Sequence, residues 1–208
     1  MDFASYRKIG ILGGTFNPIH NGHLMIAKCA LRQFRSLEAI MFLPNNLPAY
    51  KDTSSIITSE HRLMMLELAI EAERNMFVSD MELVRGGLTY TIDSLEQIHS
   101  VNPKLQIAYI IGADSLLSFT KWYRYEDILK HCNLLVAGRE SERAYLKEYA
   151  DKLLQTIGYG SIHIMRNPNM DISSSAIRKE LSNGKIPTNC MPRKVIDYIV
   201  SNKLYGMD

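Results

Sequence analysis

Short apolar runs alternate with amphipathic stretches along most of the chain. The clearest run covers residues 105–111, which are rich in β-branched and aromatic side chains and are followed by Gly112. This run predicts a buried strand. Similar runs predict strands at residues 9–12, 40–43, 76–78, 134–137 and 161–165. Helical spacing of apolar positions predicts helices at about residues 22–34, 59–74, 91–100, 142–155, 174–181 and 193–202.

This order of elements predicts an α/β protein with a Rossmann-like, doubly wound parallel sheet, helices on both faces and a short helical C-terminal part. We expect residues 1–208 to form a single domain, with the core at about residues 8–170 and the helical part at about residues 171–208. Ligands bind such sheets at the carboxyl ends of the strands. The polar segments after residues 12, 43, 111 and 165 therefore form the candidate site.

The composition narrows the classes of function. Lys and Arg number 24 against 22 Asp and Glu, a formal net charge of +2, which lacks the cationic excess of nucleic-acid-binding proteins. No apolar run reaches membrane-spanning length, and the N-terminus is too polar for a signal peptide. The three cysteines are far apart, which is typical of neither a disulfide framework nor a zinc ribbon. We therefore expect a cytoplasmic protein that uses neither nucleic acid nor membrane as a partner.

Residues 13–23, with the sequence GGTFNPIHNGH, are the most informative segment. The two glycines allow a sharp turn after the first strand, and the following helix offers N–H groups to an anion. His20 and His23 are three residues apart and can face one point. The segment has neither the Gly-Lys-Ser/Thr of a P-loop nor the spacing of the dinucleotide fingerprint. There are two alternatives. The histidines could be half of a zinc site, or the segment could be a plain glycine turn with two solvent-facing histidines.

The same segment resembles the signature of the nucleotidyltransferase superfamily that contains His-x-Gly-His. Residues 172–178, with the sequence ISSSAIR, resemble that superfamily's second motif, with Ser175 in place of the usual Thr. The serines can cap a helix, and Arg178 one turn later can contact a phosphate. The bacterial nicotinate-mononucleotide adenylyltransferase branch usually has Asp where this chain has Asn17, whereas related branches have Asn.

Further segments resemble the bacterial nicotinate-mononucleotide adenylyltransferases. Residues 44–51 match a Pro-x-x-x-Pro-x-x-Lys loop that ends in Lys51, and residues 82–91 match an acceptor segment that ends in Tyr-Thr. Residues 112–116 followed by Trp122 match a Gly-x-Asp-x-Leu…Trp stretch, and Arg139 lies at a matching turn. Taken alone, Lys51 and Arg139 are ordinary surface cations, and Trp122 is a half-buried residue at a helix end.

The resemblance implies transfer of the adenylyl group of ATP to nicotinate mononucleotide, which gives nicotinate adenine dinucleotide and pyrophosphate for NAD biosynthesis. The candidate catalytic residues are His20, His23, Lys51 and Arg178. The candidate ATP-binding residues are Gly13, Gly14, Thr15, Phe16, His20, His23, Gly112, Asp114, Ile172, Ser173, Ser174 and Arg178. The candidate acceptor-binding residues are Thr15, Lys51, Thr89, Tyr90, Thr91, Trp122 and Arg139.

The implied cofactor is Mg²⁺, which enters with ATP and is held mainly by substrate and water, since the sequence has no carboxylate cluster for a metal of its own. The implied partners are the two small-molecule substrates, with a homo-oligomer left open. The competing functions are a sister adenylyltransferase that uses nicotinamide mononucleotide or phosphopantetheine, and a nucleotide sensor that has lost catalysis.

Overall fold

A six-stranded parallel sheet forms the centre of the molecule, in a computed structural model that describes residues 3–48, 55–167 and 172–207. Its strands are β1 (Lys8–Gly14), β2 (Ala39–Pro44), β4 (Met76–Val78), β6 (Gln106–Gly112), β7 (Asn133–Ala137) and β8 (Ile162–Ile164). Their order across the sheet is β4-β2-β1-β6-β7-β8. From β1 the chain adds β2 and then β4 on one side, and later adds β6, β7 and β8 on the other side. The topological switch point therefore lies between β1 and β6.

Helices cover both faces of this sheet. They are α1 (Asn21–Gln33), α2 (Ser59–Ile70), α3 (Met81–Arg85), α4 (Thr91–Val101), α5 (Ala113–Leu117), α6 (Tyr125–His131), α7 (Arg143–Ile157), α8 (Ser174–Ser182) and α9 (Arg193–Ser201). Short 3-10 turns follow at Phe119–Lys121, Glu140–Glu142 and Leu204–Gly206. A second, two-stranded parallel sheet pairs β3 (Leu47–Pro48) with β5 (Leu88–Thr89).

Each face of the sheet has its own apolar core, because successive side chains of a strand point to opposite faces. In β2, Ile40 and Phe42 pack in a core that also contains buried side chains of α1, α2, α8 and α9. Met41 and Leu43 pack in the other core, with buried side chains of α3, α4, α5, α6 and α7. Buried strands with helices on both sides confirm the predicted α/β fold class.

Three short helices and the small sheet are absent from the sequence prediction. The helices α3, α5 and α6 are five to seven residues long, too short for a periodic pattern, and their stability depends on tertiary packing. Helix α2 ends at Ile70, four residues before the predicted end. No helix of the described residues is both long and apolar enough to span a membrane.

Candidate functional site

A cleft of about 760 Å³ lies at the carboxyl ends of β1 and β6, at the switch point of the sheet. It is lined by twelve of the residues that the sequence singles out: Gly13, Gly14, Thr15, Phe16, His23, Thr89, Tyr90, Thr91, Gly112, Trp122, Ser174 and Arg178. A second cavity of about 730 Å³, beside α1 and β4, is lined by none of the predicted site residues. The first cleft is therefore the candidate site.

The turn after β1 brings the backbone close to the cleft. The side chain of Tyr109, from the neighbouring strand β6, occupies the space in which a Cβ atom at Gly13 would lie. Phe16 then adopts a left-handed backbone conformation with a φ of 49°, which is uncommon for a bulky residue and is held here by burial of the ring. The glycine and the reversed turn together expose the backbone of residues 13–16 to a ligand.

The two histidines of the motif have different environments. Their rings stack, with centroids 3.7 Å apart, but His23 lines the cleft whereas His20 is 7% exposed and does not. Burial lowers the pKa of His20 to about 4, so its ring is neutral near pH 7. The backbone amide of His20 donates to Nδ1 of His23. His20 thus supports the ring of His23, and only His23 faces the cleft directly.

The N-terminus of α1 offers fewer amides to an anion than the sequence predicts. The amide of Asn21 donates to the carbonyl of Cys190 at 2.7 Å, and the amide of His23 donates to the carbonyl of His20 at 2.9 Å. The amide of Leu24 also donates to His20, at 3.4 Å. The expectation that this helix presents unpaired N–H groups is therefore wrong for these three positions, because the C-terminal part of the chain and the first turn itself use them.

The second motif forms the opposite wall of the cleft. Ser173 caps α8 by accepting a hydrogen bond from the amide of Ala176 at 3.2 Å, and Ser174 donates to the carbonyl of Pro18 at 2.9 Å. Arg178 donates to the carbonyl of Asn17 at 2.8 Å and to the hydroxyl of Ser55 at 3.4 Å. These bonds fix α8 against the turn after β1, with Ser174 and Arg178 at the surface of the cleft.

The other end of the cleft is aromatic. Trp122 is half-buried and packs on Phe119, with ring centroids 5.5 Å apart. Tyr90 lies 4.9 Å from the ring of Tyr123, and both line the cleft. The hydroxyl of Thr89 accepts a hydrogen bond from the amide of Asn46 at 3.2 Å, which ties the predicted acceptor segment to the loop after β2. Aromatic faces beside hydroxyl groups suit a flat heterocycle with a polar substituent.

Four further predicted residues are not among those that line the cleft. Asp114 is exposed in the first turn of α5, and Arg139 is exposed in the turn after β7. Neither lines the cleft, and neither do Ile172 and Ser173, which precede α8. Lys51 lies outside the described residues.

Asn17 joins three segments of the chain. Sequence analysis noted it only because the resembled family usually has Asp at this position. It is 4% exposed, and its Nδ2 donates to the carbonyl of Ser55 at 2.8 Å. Its Oδ1 accepts from the amide of Ile57 at 3.3 Å and from the hydroxyl of Tyr205 at 3.0 Å. The side chain therefore joins the turn after β1, the segment before α2 and the C-terminal turn.

Sequence analysis missed Arg62 and gave no role to Glu82, the first residue of the predicted acceptor segment, although both are buried and ionisable and lie beside the cleft. Arg62 of α2 donates to the carbonyls of Thr15 and Asn45. Glu82 of α3 lines the cleft, accepts from the hydroxyl of Ser94 at 2.5 Å and has its pKa raised to about 7 by burial. Arg62 precedes the buried Met65 and Leu66 by three and four residues. A charged residue on the apolar face of a helix was therefore the feature of the sequence that could have identified it.

Among the described residues, no three His, Cys, Asp or Glu side chains lie close enough to hold a metal ion. The cleft is lined by the carboxyl group of Glu82 together with a histidine, an arginine, and serine and threonine hydroxyls. All of these except the carboxyl group are hydrogen-bond donors that suit phosphate oxygens.

Comparison with known proteins shows the family of the chain. The cytidylyltransferase-like family model matches residues 11–180. A protein of Lachnoclostridium phytofermentans is 39% identical over 205 residues, which cover 96% of this chain and 99% of that protein. A protein of Carboxydothermus hydrogenoformans is 36% identical over 201 residues, which cover 95% and 98%. Both carry the name "probable nicotinate-nucleotide adenylyltransferase".

Solved structures show the same fold. The Plasmodium falciparum nicotinic acid mononucleotide adenylyltransferase, complexed with NaAD, superposes with a TM-score of 0.78 at 19% identity, over 98% of this chain and 99% of that one. The same enzyme complexed with APC gives a TM-score of 0.76. From the family match and from relatives that are similar over nearly their whole length, the chain belongs to the cytidylyltransferase-like family and is a member of the nicotinate-nucleotide adenylyltransferases.

Proposed function

We propose that this chain transfers the adenylyl group of ATP to nicotinate mononucleotide, which gives nicotinate adenine dinucleotide and pyrophosphate. The observation that carries this proposal is that one cleft has hydrogen-bond donors suited to phosphate on one wall, here called the phosphate-type wall, and aromatic rings on the other. The phosphate-type wall contains the turn after β1, His23, Ser174 and Arg178. Relatives that are 33–39% identical over nearly the whole chain share the corresponding name.

In the reaction, a 5′-phosphate oxygen of the acceptor attacks the α-phosphorus of ATP. A new P–O bond forms, the bond from the α-phosphorus to the bridging oxygen breaks, and pyrophosphate leaves with that electron pair. The attacking phosphate is already an anion near neutral pH, so the protein needs no general base. Its contribution is to align the two phosphates and to stabilise the charge that grows on the oxygens of the transferred group.

Each wall of the cleft has a part in this scheme. The Nε2–H of His23 donates to the α-phosphate, and Arg178 and the start of α8 meet the leaving pyrophosphate, whereas the backbone near Thr15 and Phe16 faces the attacking phosphate. Thr89, Tyr90 and Thr91 hold the carboxylate of the pyridine ring, and Trp122 stacks on the ring. His20, which is neutral near pH 7 and buried, positions His23. We assign Lys51 to the phosphates and Arg139 to the acceptor, as the resemblance implies.

Mg²⁺ accompanies ATP in this proposal. It would enter with ATP, held mainly by the substrate and by water, and would offset the charge of the polyphosphate. We also propose that the protein works in the cytoplasm, where both substrates are present.

The experiment that tests the function is pyrophosphate release with Mg-ATP, with nicotinate mononucleotide, nicotinamide mononucleotide and phosphopantetheine offered separately. We expect release with the acid form to exceed release with the other acceptors, and we expect mass spectrometry to identify nicotinate adenine dinucleotide as the product. Preference for the amide form or for phosphopantetheine would assign the chain to a sister reaction. ATP binding without release from any acceptor would indicate a sensor.

A further inference from the structure

Arg62 carries a positive charge in an unfavourable position. Its side chain is 1% exposed, and none of the carboxylates in the described part of the chain pairs with it. It is the fourth residue of α2, near the positive end of the helix dipole, where a cation is destabilising. Burial also lowers the pKa of its guanidinium, although an arginine keeps its charge inside proteins. A buried charge without an anionic partner is destabilising unless hydrogen bonds or a ligand offset it.

The guanidinium is bonded to two loops that line the cleft. Its Nη1 donates to the carbonyl of Thr15 at 2.9 Å and to the carbonyl of Asn45 at 2.8 Å, and its Nη2 donates to the carbonyl of Asn46 at 3.4 Å. Thr15 belongs to the turn after β1, and Asn45 follows β2. Arg62 therefore joins the ends of two neighbouring strands from behind the wall of the cleft.

These bonds set the direction of a peptide group that faces a ligand. In a trans peptide the carbonyl and the following N–H point in opposite directions. Because the carbonyl of Thr15 points at Arg62, the N–H of Phe16 points away from Arg62. Thr15 and Phe16 both line the cleft, and Arg62 does not. A cation on the carbonyl also polarises the peptide and strengthens the N–H as a donor to an anion.

The contacts extend to the aromatic end of the cleft. Asn46, whose carbonyl accepts from Arg62, donates its own amide to the hydroxyl of Thr89 and its side-chain amide to the carbonyl of Gly87. Asn45 also lines the cleft, and its side chain lies 3.4 Å from the hydroxyl of Thr15. The charge thus lies behind the junction of the two walls of the cleft.

We propose that Arg62 is a positioning residue that creates a phosphate site at the junction formed by Thr15, Phe16 and Asn45, and that this site takes the 5′-phosphate of the acceptor. This inference rests on the proposed function. Arg62 acts by fixing the two loops and by placing a positive charge behind them, and the bound phosphate offsets that charge.

The test compares ligands with and without a phosphate. Calorimetry measures the dissociation constants of nicotinate mononucleotide and of nicotinate riboside for the wild type and for Arg62→Met. The dissociation constant of the riboside divided by that of the mononucleotide reports the contribution of the phosphate. We expect Arg62→Met to reduce this ratio by about tenfold or more, because a charge-assisted phosphate site is lost, while binding of the riboside stays nearly unchanged. The KM for the mononucleotide should rise more than kcat falls.

Matched variants separate this role from a role in folding. Arg74→Met removes an exposed arginine just after α2 and should leave the ratio unchanged. Arg62→Lys keeps the charge and should recover part of the ratio. If Arg62→Met does not fold, as judged by circular dichroism, the comparison uses Arg62→Lys, which should still reduce the ratio because an ammonium group cannot span three carbonyls.

Three results would overturn the inference. Equal weakening of riboside and mononucleotide would make Arg62 a purely structural residue, and an unchanged ratio in every folded Arg62 variant would deny it any role at the phosphate. The same measurement with ATP and adenosine tests whether the site binds a phosphate of ATP instead. Loss confined to the ATP pair would assign the site to the donor and contradict the acceptor assignment. Failure of the wild type to make the dinucleotide would instead count against the proposed function.

Discussion

The backbone amide of His20 donates a hydrogen bond to Nδ1 of His23 across 3.2 Å. Because an amide always donates, Nδ1 of His23 carries no proton, and the neutral ring carries its proton on Nε2. The first histidine of the motif therefore sets the tautomer of the second, and its stacked ring sets the orientation. The spacing of three residues has this effect because the two positions adjoin on the first turn of α1.

This tautomer predicts an order among variants of His23. We expect His23→Ala to lower kcat by about 10²–10³, as when a donor to a developing charge is removed. His23→Gln should retain more activity than His23→Asn, because the glutamine amide reaches the place of Nε2 whereas the asparagine amide reaches that of Nδ1. Steady-state kinetics measures the order, and thermal unfolding of each variant is the control. Higher activity of His23→Asn would assign the function to Nδ1.

Trp122 should affect one substrate more than the other. Its ring lines the aromatic end of the cleft, and stacking on a base contributes about 1–3 kcal/mol. We expect Trp122→Ala to raise the KM for nicotinate mononucleotide about tenfold or more and to change the KM for ATP little. Trp122→Phe keeps an aromatic face and should recover much of the loss. An equal rise of both KM values would show that Trp122 supports the whole cleft rather than the pyridine ring.

Asn17 should not tolerate a carboxylate in this chain. In Asn17→Asp the donor to the carbonyl of Ser55 is lost, and a carboxylate oxygen would face that carbonyl. We expect the free energy of unfolding to fall by about 1–3 kcal/mol, and by less at acidic pH, where a protonated carboxyl group can still donate. Urea unfolding across a range of pH checks this. If Asn17→Asp matches the wild type at neutral pH, a rearranged contact, such as one with Arg178, replaces the lost bond.

Glu82 predicts a specific pH dependence of stability. Its carboxyl group ionises near pH 4.5 in the unfolded chain and at about 7 in the folded protein. Between these values the folded state holds more protons, so this residue's contribution to stability falls as the pH rises from about 4.5 to about 7 and then stays constant. The loss is about 3 kcal/mol as an order of magnitude.

Glu82→Gln should remove that loss, because glutamine keeps an acceptor for the hydroxyl of Ser94 and has no charge. Urea unfolding at about pH 5 and about pH 8 should therefore show a stability gain for this variant at the higher pH only. Glu67→Gln, at an exposed position of α2, is the control and should show no such gain. If Glu82→Gln is destabilising by the same amount at both values, Glu82 does not titrate in this range.

The sequence predicts the parts of this molecule that depend on neighbouring residues. Apolar runs mark the strands at residues 40–43 and 134–137, so the sequence predicts them. The turn at residues 13–16 is predicted because glycines follow a strand and precede a helix. The prediction fails where a residue acts through a distant partner. Arg62 is ordinary in sequence, and its importance comes from carbonyls 16 to 47 positions away. Only the folded chain brings these groups together.

The burial of His20 illustrates the same point for the site. Its place in the motif is plain from sequence, but its exclusion from the cleft depends on the packing of the first turn of α1. The assignment of free amides to α1 failed for a related reason, because the carbonyl of Cys190 comes from the far end of the chain. Sequence patterns identify which residues are near a site, whereas contacts between distant segments decide what each one does.

The hydrogen bond from Tyr205 to Asn17 joins residues 188 positions apart, and this has a consequence for synthesis. On the ribosome, β1 and its turn are made and emerge long before their partner in the C-terminal turn. The nascent chain can therefore assemble most of the sheet while its nucleotide cleft still lacks this support. Full affinity for substrates should arise only after Tyr205 has left the exit tunnel.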